Sequence, residues 1–234
     1  MRIIALKRLL TSITANCYTT NYTRLGMRMP RCDVSNKGGL TLALNKYDEI
    51  ARAAIHLFNR KGYHATSVQD IADEVKLQKG SLYHYISSKE ELLLQIVSRS
   101  INGFSHELEG IVNLPESSTE RLKKAIHHHF GIVAGDVEMT TVLLRDAFLL
   151  SQDQHTIIVE AMDRYLDHWV RILEEGMTHG EFREGDPRLA ALSILGACNW
   201  VYRWYNPNGA KSAKEIADYF CDLHLRGITN QMKI

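Results

Sequence analysis

The chain has 234 residues, 45% of them hydrophobic and 24% charged, which is enough for one or two ordinary cores and excludes an intrinsically disordered protein. The four cysteines, Cys17, Cys32, Cys198 and Cys221, form no C-x-x-C pair, which argues against a disulfide framework or a zinc ribbon and for a reduced, intracellular, cytoplasmic protein. The formal net charge of +1 conceals an asymmetry, and no apolar run reaches the roughly 18 residues of a membrane-spanning helix.

The basic residues concentrate at the start. Residues 1–46 hold Arg2, Lys7, Arg8, Arg24, Arg28, Arg31, Lys37 and Lys46 against Asp33 alone, so the rest of the chain is net acidic. Residues 1–42 are therefore read as a disordered basic leader. They are translated sequence upstream of a start at Met27 or Met29, a flexible nucleic-acid-binding arm or a targeting peptide, in that order of preference.

From Tyr47 the pattern turns helical. Ile50, Ala51, Ala54, Ile55 and Phe58 recur at three- and four-residue intervals until Gly62 stops the run. Thr66 or Ser67 then offers an N-cap for a second helix of about two turns, with Val68, Ile71, Ala72 and Val75 on one face. After a break at Lys76 and Leu77, Gln78 to Tyr85 resumes with Leu82 inward, and Ser87 or Ser88 caps the next helix. Longer helices are expected over 88–111, 118–134, 137–150, 153–179, 187–206 and 211–229, without strand alternation. Gly180 and Gly185 end one of them, and Asp186 with Pro187 supplies a cap and a first-turn proline for the next. The fold class is all-α, with a small head over 43–95 and a larger body over 96–234.

The segment from Lys61 to Leu93 carries the clearest signal. Two short helices joined by a tight turn, the second opening on small and polar residues, describe a helix-turn-helix whose second helix enters the major groove. Gly62-Tyr63, Thr66-Ser67, Ile71-Ala72, Gly80-Ser-Leu-Tyr-His-Tyr85 and Ser88-Lys-Glu-Glu-Leu92 together resemble the TetR family of bacterial transcriptional regulators over about Tyr47 to Ile96. Two positions depart from that family: Lys76 stands where a turn glycine is usual and Ile86 where a phenylalanine is usual. The resemblance implies that Ser67, Gln69, Lys79, Gly80, Ser81, Tyr83, His84 and Tyr85 face DNA and that Lys89 reaches a phosphate. For Tyr83 and Tyr85, packing between helices is the alternative. Lys and Gln suit base edges, and Gly80 lets the backbone approach a phosphate. The head itself is slightly acidic, so affinity must come from local placement of Lys79 and Lys89, with the basic arm as a further source.

In the body, Ser193, Ala197, Trp200 and Trp204 fall on one helical stripe, and Ala213, Ile216, Ala217, Phe220 and Leu223 on another. These stripes are expected to form core and a dimer interface of paired helices, carried by Ala197, Trp200, Trp204, Ile216, Phe220 and Leu223. A direct ligand role for the tryptophans stays open. The run Asn199-Trp-x-Tyr-x-Trp-Tyr205, with Glu181-Phe-Arg183 before it, resembles TetR-family regulators of fatty-acid and steroid catabolism that respond to acyl-coenzyme A. Candidate ligand contacts are Arg145, Arg164, His168, Trp169, Trp200, Arg203 and Trp204. Arg171 and Arg183 are further cations among apolar helices.

His127, His128 and His129 are consecutive and point about 100° apart on a helix, so they cannot converge on one metal ion. No nucleophile elbow, phosphate loop or carboxylate pair at catalytic spacing is present, so no catalytic residue, metal or cofactor is expected. The expected protein is a homodimeric repressor that binds double-stranded operator DNA and is released by a small-molecule effector, an acyl-coenzyme A. The alternatives are a multidrug-efflux regulator binding lipophilic cations, or a helical enzyme or metal protein that does not recognise DNA.

Overall fold

A computed structural model describes residues 38–229. The leader expected over 1–42 lies largely outside that range, as do Cys17 and Cys32. Nine α-helices are described: α1 (Gly38–Lys61), α2 (Val68–Glu74), α3 (Lys79–Leu82), α4 (Lys89–Val112), α5 (Ser118–Gly135), α6 (Val137–Asp146), α7 (Gln152–Thr178), α8 (Pro187–Asn199) and α9 (Ala213–Ile228). Tight 3-10 turns follow α6 at Ala147–Leu149 and α8 at Trp200–Arg203.

Helix starts obey their caps. Ser67 and Asp70 form a reciprocal capping box on α2, as do Ser212 and Glu215 on α9, while Ser88, Ser117 and Asp136 cap α4, α5 and α6. Of the two candidate caps before α2, Ser67 takes the role. Thr66 is buried instead, its hydroxyl donating to the carbonyls of Gly62 (2.9 Å) and Leu57 (3.3 Å). Asp186 caps α8 behind Pro187, as the sequence predicts.

Three boundaries differ from the sequence reading. Helix α1 begins at Gly38, ahead of Tyr47 and inside the stretch read as leader. Helix α3 is a single turn, so Tyr83, His84 and Tyr85 sit on the turn beyond it rather than on a helix running to Tyr85. Helix α8 gives way at Trp200 to a 3-10 turn closed by the amides of Trp204 and Tyr205 on the Val201 carbonyl. Pro207 follows, and a proline disfavours helical geometry in the residue before it.

One hydrophobic cluster runs without interruption from Tyr47, Ile50 and Phe58 through Leu82 and Ile96 to Trp169, Leu195 and Cys198. Helix α4 crosses the expected head–body boundary at 95 and packs along α7, so the two parts share a core. A smaller cluster of Phe130, Val133, Ala134, Val201 and Ala217 joins α5 to α9.

The Glu181-Phe-Arg stretch acts as mortar. Glu181 accepts from the Ser118 and Thr119 amides at the start of α5 (both 2.9 Å), and the Arg183 amide donates to the Ile228 carbonyl (2.7 Å). The buried Phe182 ring lies where a Cβ on Gly176 would stand, so α7 needs glycine at that point.

Candidate nucleic-acid interface and ligand-binding body

The turn between α2 and α3 is built around Lys76, whose φ is +54°, the one non-glycine residue at positive φ among the described residues. The Leu77 amide reaches the Ala72 carbonyl (2.8 Å) and the Lys76 amide the Asp73 carbonyl (3.1 Å), the paired bonds of a Schellman ending. The left-handed position expected from the sequence is therefore present with a lysine in it. Ile71, Ala72, Val75, Leu82 and Ile86 are buried beneath the turn and set the two helices against α1 and α4.

The polar residues of this unit remain outside. Ser67, Gln69, Lys79, Gly80, Tyr83 and His84 are exposed, while Ser81 and Tyr85 are half-buried, with Tyr85 packed against the core. Two of them are already engaged. Ser67 is committed to Asp70, and the Gln69 amide nitrogen donates to the Asp73 carboxylate (2.7 Å). Lys61 and the Ser67 hydroxyl and amide hold the Asp70 carboxyl well below the usual carboxylate range. Lys79 has no carboxylate within 4.0 Å among the described residues.

Lys89 is placed differently from Lys79. Its ammonium donates to the carbonyls of Tyr63 (2.7 Å) and Thr66 (2.6 Å) and lies 4.3 Å from the centre of the Tyr63 ring. Burial pushes its pKa down. This lysine fixes the loop before α2 to the start of α4, a role that sequence reasoning missed because the two carbonyls lie 26 and 23 residues away.

The candidate ligand residues of the body do not converge on one pocket. Trp169 is fully buried, whereas Trp200 and Trp204 are 62% and 50% exposed, with Arg203 stacked beside Trp200 at 5.8 Å. Arg164 is exposed on α7, and burial lowers the pKa of the half-buried His168. Arg145 lies at the joint between head and body. It donates to both oxygens of the buried Asp146 (2.8 and 3.0 Å) and to the Phe58 carbonyl at the end of α1 (2.7 Å).

Around Trp169 the body holds a buried polar chain. His129 meets Tyr165 Oη through Nδ1 (2.9 Å) and Asn199 Oδ1 through Nε2 (3.0 Å). The Asn199 oxygen accepts only, so Nε2 carries the proton and Nδ1 accepts from the tyrosine hydroxyl. Desolvation drives the His129 pKa down to about 3, leaving the ring neutral. Two donors at this place, Trp169 Nε1 and Asn199 Nδ2, are buried without an acceptor. His127 and His128 turn elsewhere, to Asp218 (2.9 Å) and Glu107 (3.6 Å), and no group of three metal-ligating side chains occurs among the described residues.

The stripe assigned to dimerisation is split. Ile216 and Phe220 turn into their own chain, against the cluster of Phe130 and Val133, and Phe220 meets Phe130 edge to face at 5.8 Å. Tyr219 and Leu223 are the large apolar residues of α9 that stay open, at 65% and 54% exposure, as Trp200 and Trp204 do after α8, while Ala197 is half-buried. A one-residue offset along a helix turns a side chain through about 100°, which decides between these two faces.

An exposed helix-turn-helix set on a larger all-helical body defines the class: a DNA-binding transcriptional regulator. Two family models match, "Bacterial regulatory proteins, tetR family" over residues 50–96 and "Tetracyclin repressor-like, C-terminal domain" over 115–228, and the chain belongs to the TetR family. It is 28% identical over 193 residues to the HTH-type transcriptional repressor KstR2 of Mycobacterium tuberculosis, spanning 78% of this chain and 92% of the relative. Among solved structures it is similar to AibR in complex with isovaleryl coenzyme A and operator DNA, with a TM-score of 0.70 and 28% identity over 76% of this chain and 97% of the other. The transcriptional regulator FadR of Bacillus subtilis in complex with stearoyl-CoA is similar at a TM-score of 0.67 and 27% identity, over 78% of this chain and 99% of that one. No helix of the described residues is long and apolar enough to cross a membrane.

Proposed function

We propose that the protein is a homodimeric repressor that reads operator DNA with the exposed surface of α2, α3 and the following turn, and that an acyl-coenzyme A held in the body releases it. The observation that carries the effector reading is the likeness, along three quarters of the chain, to two regulators solved with acyl-coenzyme A ligands. The supporting chemistry is local. Asn199 Nδ2 and Trp169 Nε1 are buried donors without acceptors beside the His129–Tyr165–Asn199 chain, and a thioester carbonyl supplies an acceptor. The acyl chain then lies among α4, α5, α7 and α8, with Arg164 and His168 on the outer side of α7 toward the phosphates. Trp200, Arg203 and Trp204 leave the ligand set and join Leu223, Tyr219 and Ala197 at the two-fold interface, where large apolar side chains exposed on the single chain are covered by a second copy.

On DNA, Lys79 and Gln69 read base edges or phosphates, Ser81, Tyr83 and His84 line the contact, and Gly80 permits close approach. Tyr85 supports the turn from below, and Ser67 presents α2 through its capping box. Lys89 acts chiefly by holding the loop in place, its remaining N–H being free to meet a phosphate. The test is a footprint on DNA flanking the protein's own gene, repeated with oleoyl-coenzyme A, oleate and a lipophilic cation. Protection relieved by the thioester alone is expected; relief by the cation alone replaces this reading with a drug-efflux regulator, and no protection on any sequence ends it.

A further inference from the structure

A cleft of about 710 Å³ opens beside the joint between head and body, walled by α1, α4 and the α5–α6 corner. This volume is in the range of sites for small organic molecules. Its apolar wall is Ala51, Ile55, Ile96 and Met139. Two guanidinium groups face it, Arg52 from α1 and Arg99 from α4, and neither has a carboxylate within 4.0 Å among the described residues. The acids that line it are mostly engaged: Glu138 meets His56 across the cleft (3.1 Å), and Asp136 caps α6 at the Met139 amide (3.0 Å). Asp48, the third acid of the lining, forms no ion pair within 4.0 Å among the described residues. Arg99 lies 4.2 Å from the centre of the Tyr47 ring, and Tyr47, which also lines the cleft, keeps a buried hydroxyl that has no hydrogen-bond partner.

We propose that this cleft is a second ligand site, for an amphipathic organic anion whose oxyanion pairs with Arg99 and Arg52 while its apolar part lies along Ile55, Ile96 and Met139. The chemistry is that of a carboxylate or phosphate joined to a greasy segment. A guanidinium presents paired N–H donors that suit either oxyanion, and an unpaired one beside an apolar wall gains most from such a partner. The Tyr47 hydroxyl, beneath the same wall, supplies a further donor as the ligand seats. Because one wall belongs to α1 and the other to the body, an occupant braces or displaces the His56–Glu138 contact and so changes the angle of the head. The site is distinct from the buried donors around Trp169, and it stands or falls independently of the acyl-coenzyme A reading.

The experiment is isothermal titration of the full chain, without DNA, using dodecanoate, coenzyme A, dodecanoyl-coenzyme A and the uncharged 1-dodecanol. Saturable binding of at least one anion is expected, weakened about 10-fold in both Arg99→Gln and Arg52→Gln, with the alcohol binding more weakly than the acid. Dodecanoate as the binder identifies a carboxylate source, and coenzyme A a phosphate source. Each variant is checked by its thermal midpoint, and exposed Arg52 provides a substitution that the fold tolerates if Arg99→Gln unfolds. The proposal is overturned if no anion binds below about 1 mM, if both variants that fold bind as the parent does, or if 1-dodecanol binds as tightly as the tightest-binding anion. Operator binding and its relief by thioesters are measured separately, so their failure leaves this result readable.

Discussion

The head and the body treat polar residues in opposite ways. In the head, Gln69, Lys79 and His84 stand outside, and the apolar residues beneath them set the two short helices on the core that continues into the body. In the body, His129, Asn199, Thr140, Arg121 and Asp146 are drawn inside among apolar side chains. Arg121, for example, is buried against the Val112 carbonyl, the Ser118 hydroxyl and the Glu175 carboxylate. A surface built to meet a charged polymer keeps its donors solvated until contact, so individual substitutions there alter binding more than folding. Buried polar groups raise the stakes in the other direction, since an unmatched donor or acceptor in the interior costs free energy at once.

The sharpest test of this contrast compares two tryptophans. Trp169→Ala, in the interior, is expected to lower the unfolding free energy by about 3–5 kcal/mol in a denaturant titration. Trp200→Ala, on the open face, is expected to leave that quantity within about 1 kcal/mol for the dissociated chain and to weaken assembly instead. Equal effects of the two substitutions would erase the distinction. The same logic separates Phe220 from Leu223: Leu223→Glu is expected to shift sedimentation toward the 26.7 kDa single chain, whereas Phe220→Glu first unfolds the α5–α9 contact.

The next effect is on pH. His129 has a folded pKa pushed down to about 3 by burial, against about 6.5 in the unfolded chain, so the unfolded state binds the extra proton between these values. Stability from this group is therefore complete above pH ~6.5 and falls as the pH drops toward 3, by about 2 kcal/mol at pH 5. His128, His168 and His224 are shifted in the same direction by burial and add to the slope. Unfolding of His129→Gln followed from pH 7 to 5 is expected to show a shallower decline than the parent. An unchanged slope would mean that this ring is not kept neutral by the interior.

Within the head, Lys79→Ala is expected to weaken operator binding about 10-fold with the thermal midpoint nearly unchanged, while Gln69→Ala alters sequence preference. Lys89→Ala is expected to lower stability as well as affinity, because two loop carbonyls lose their donor. A Lys89 variant that loses only affinity and salt dependence would restore a purely phosphate-binding role. The smallest expected effect is a gain: Lys76→Gly relieves a side chain held at φ +54° and is expected to stabilise the head by about 1 kcal/mol. Thermal unfolding measures it.

Local sequence determined most helix starts and their caps, because the chemistry involved spans only three or four residues, while the ends of α3 and α8 fell short of the expected ones. Ser88, Asp136 and Asp186 reach amides two or three positions away, and the left-handed turn at Lys76 was legible as a departure from glycine. The family resemblance likewise rested on a dense local motif over Tyr47 to Ile96, close to the matched span of 50–96. Tertiary structure alone decided which tryptophan is core and which is surface, since Trp169 and Trp200 were both candidate ligand contacts in the sequence and differ in what packs opposite. It also decided the fates of Lys89 and Arg145, whose partners are carbonyls 26 and 87 residues distant and leave no periodic trace in the chain. A backbone carbonyl is present at every position whatever the residue, so sequence cannot announce which one a distant cation will meet; only the packing of helices brings the two together.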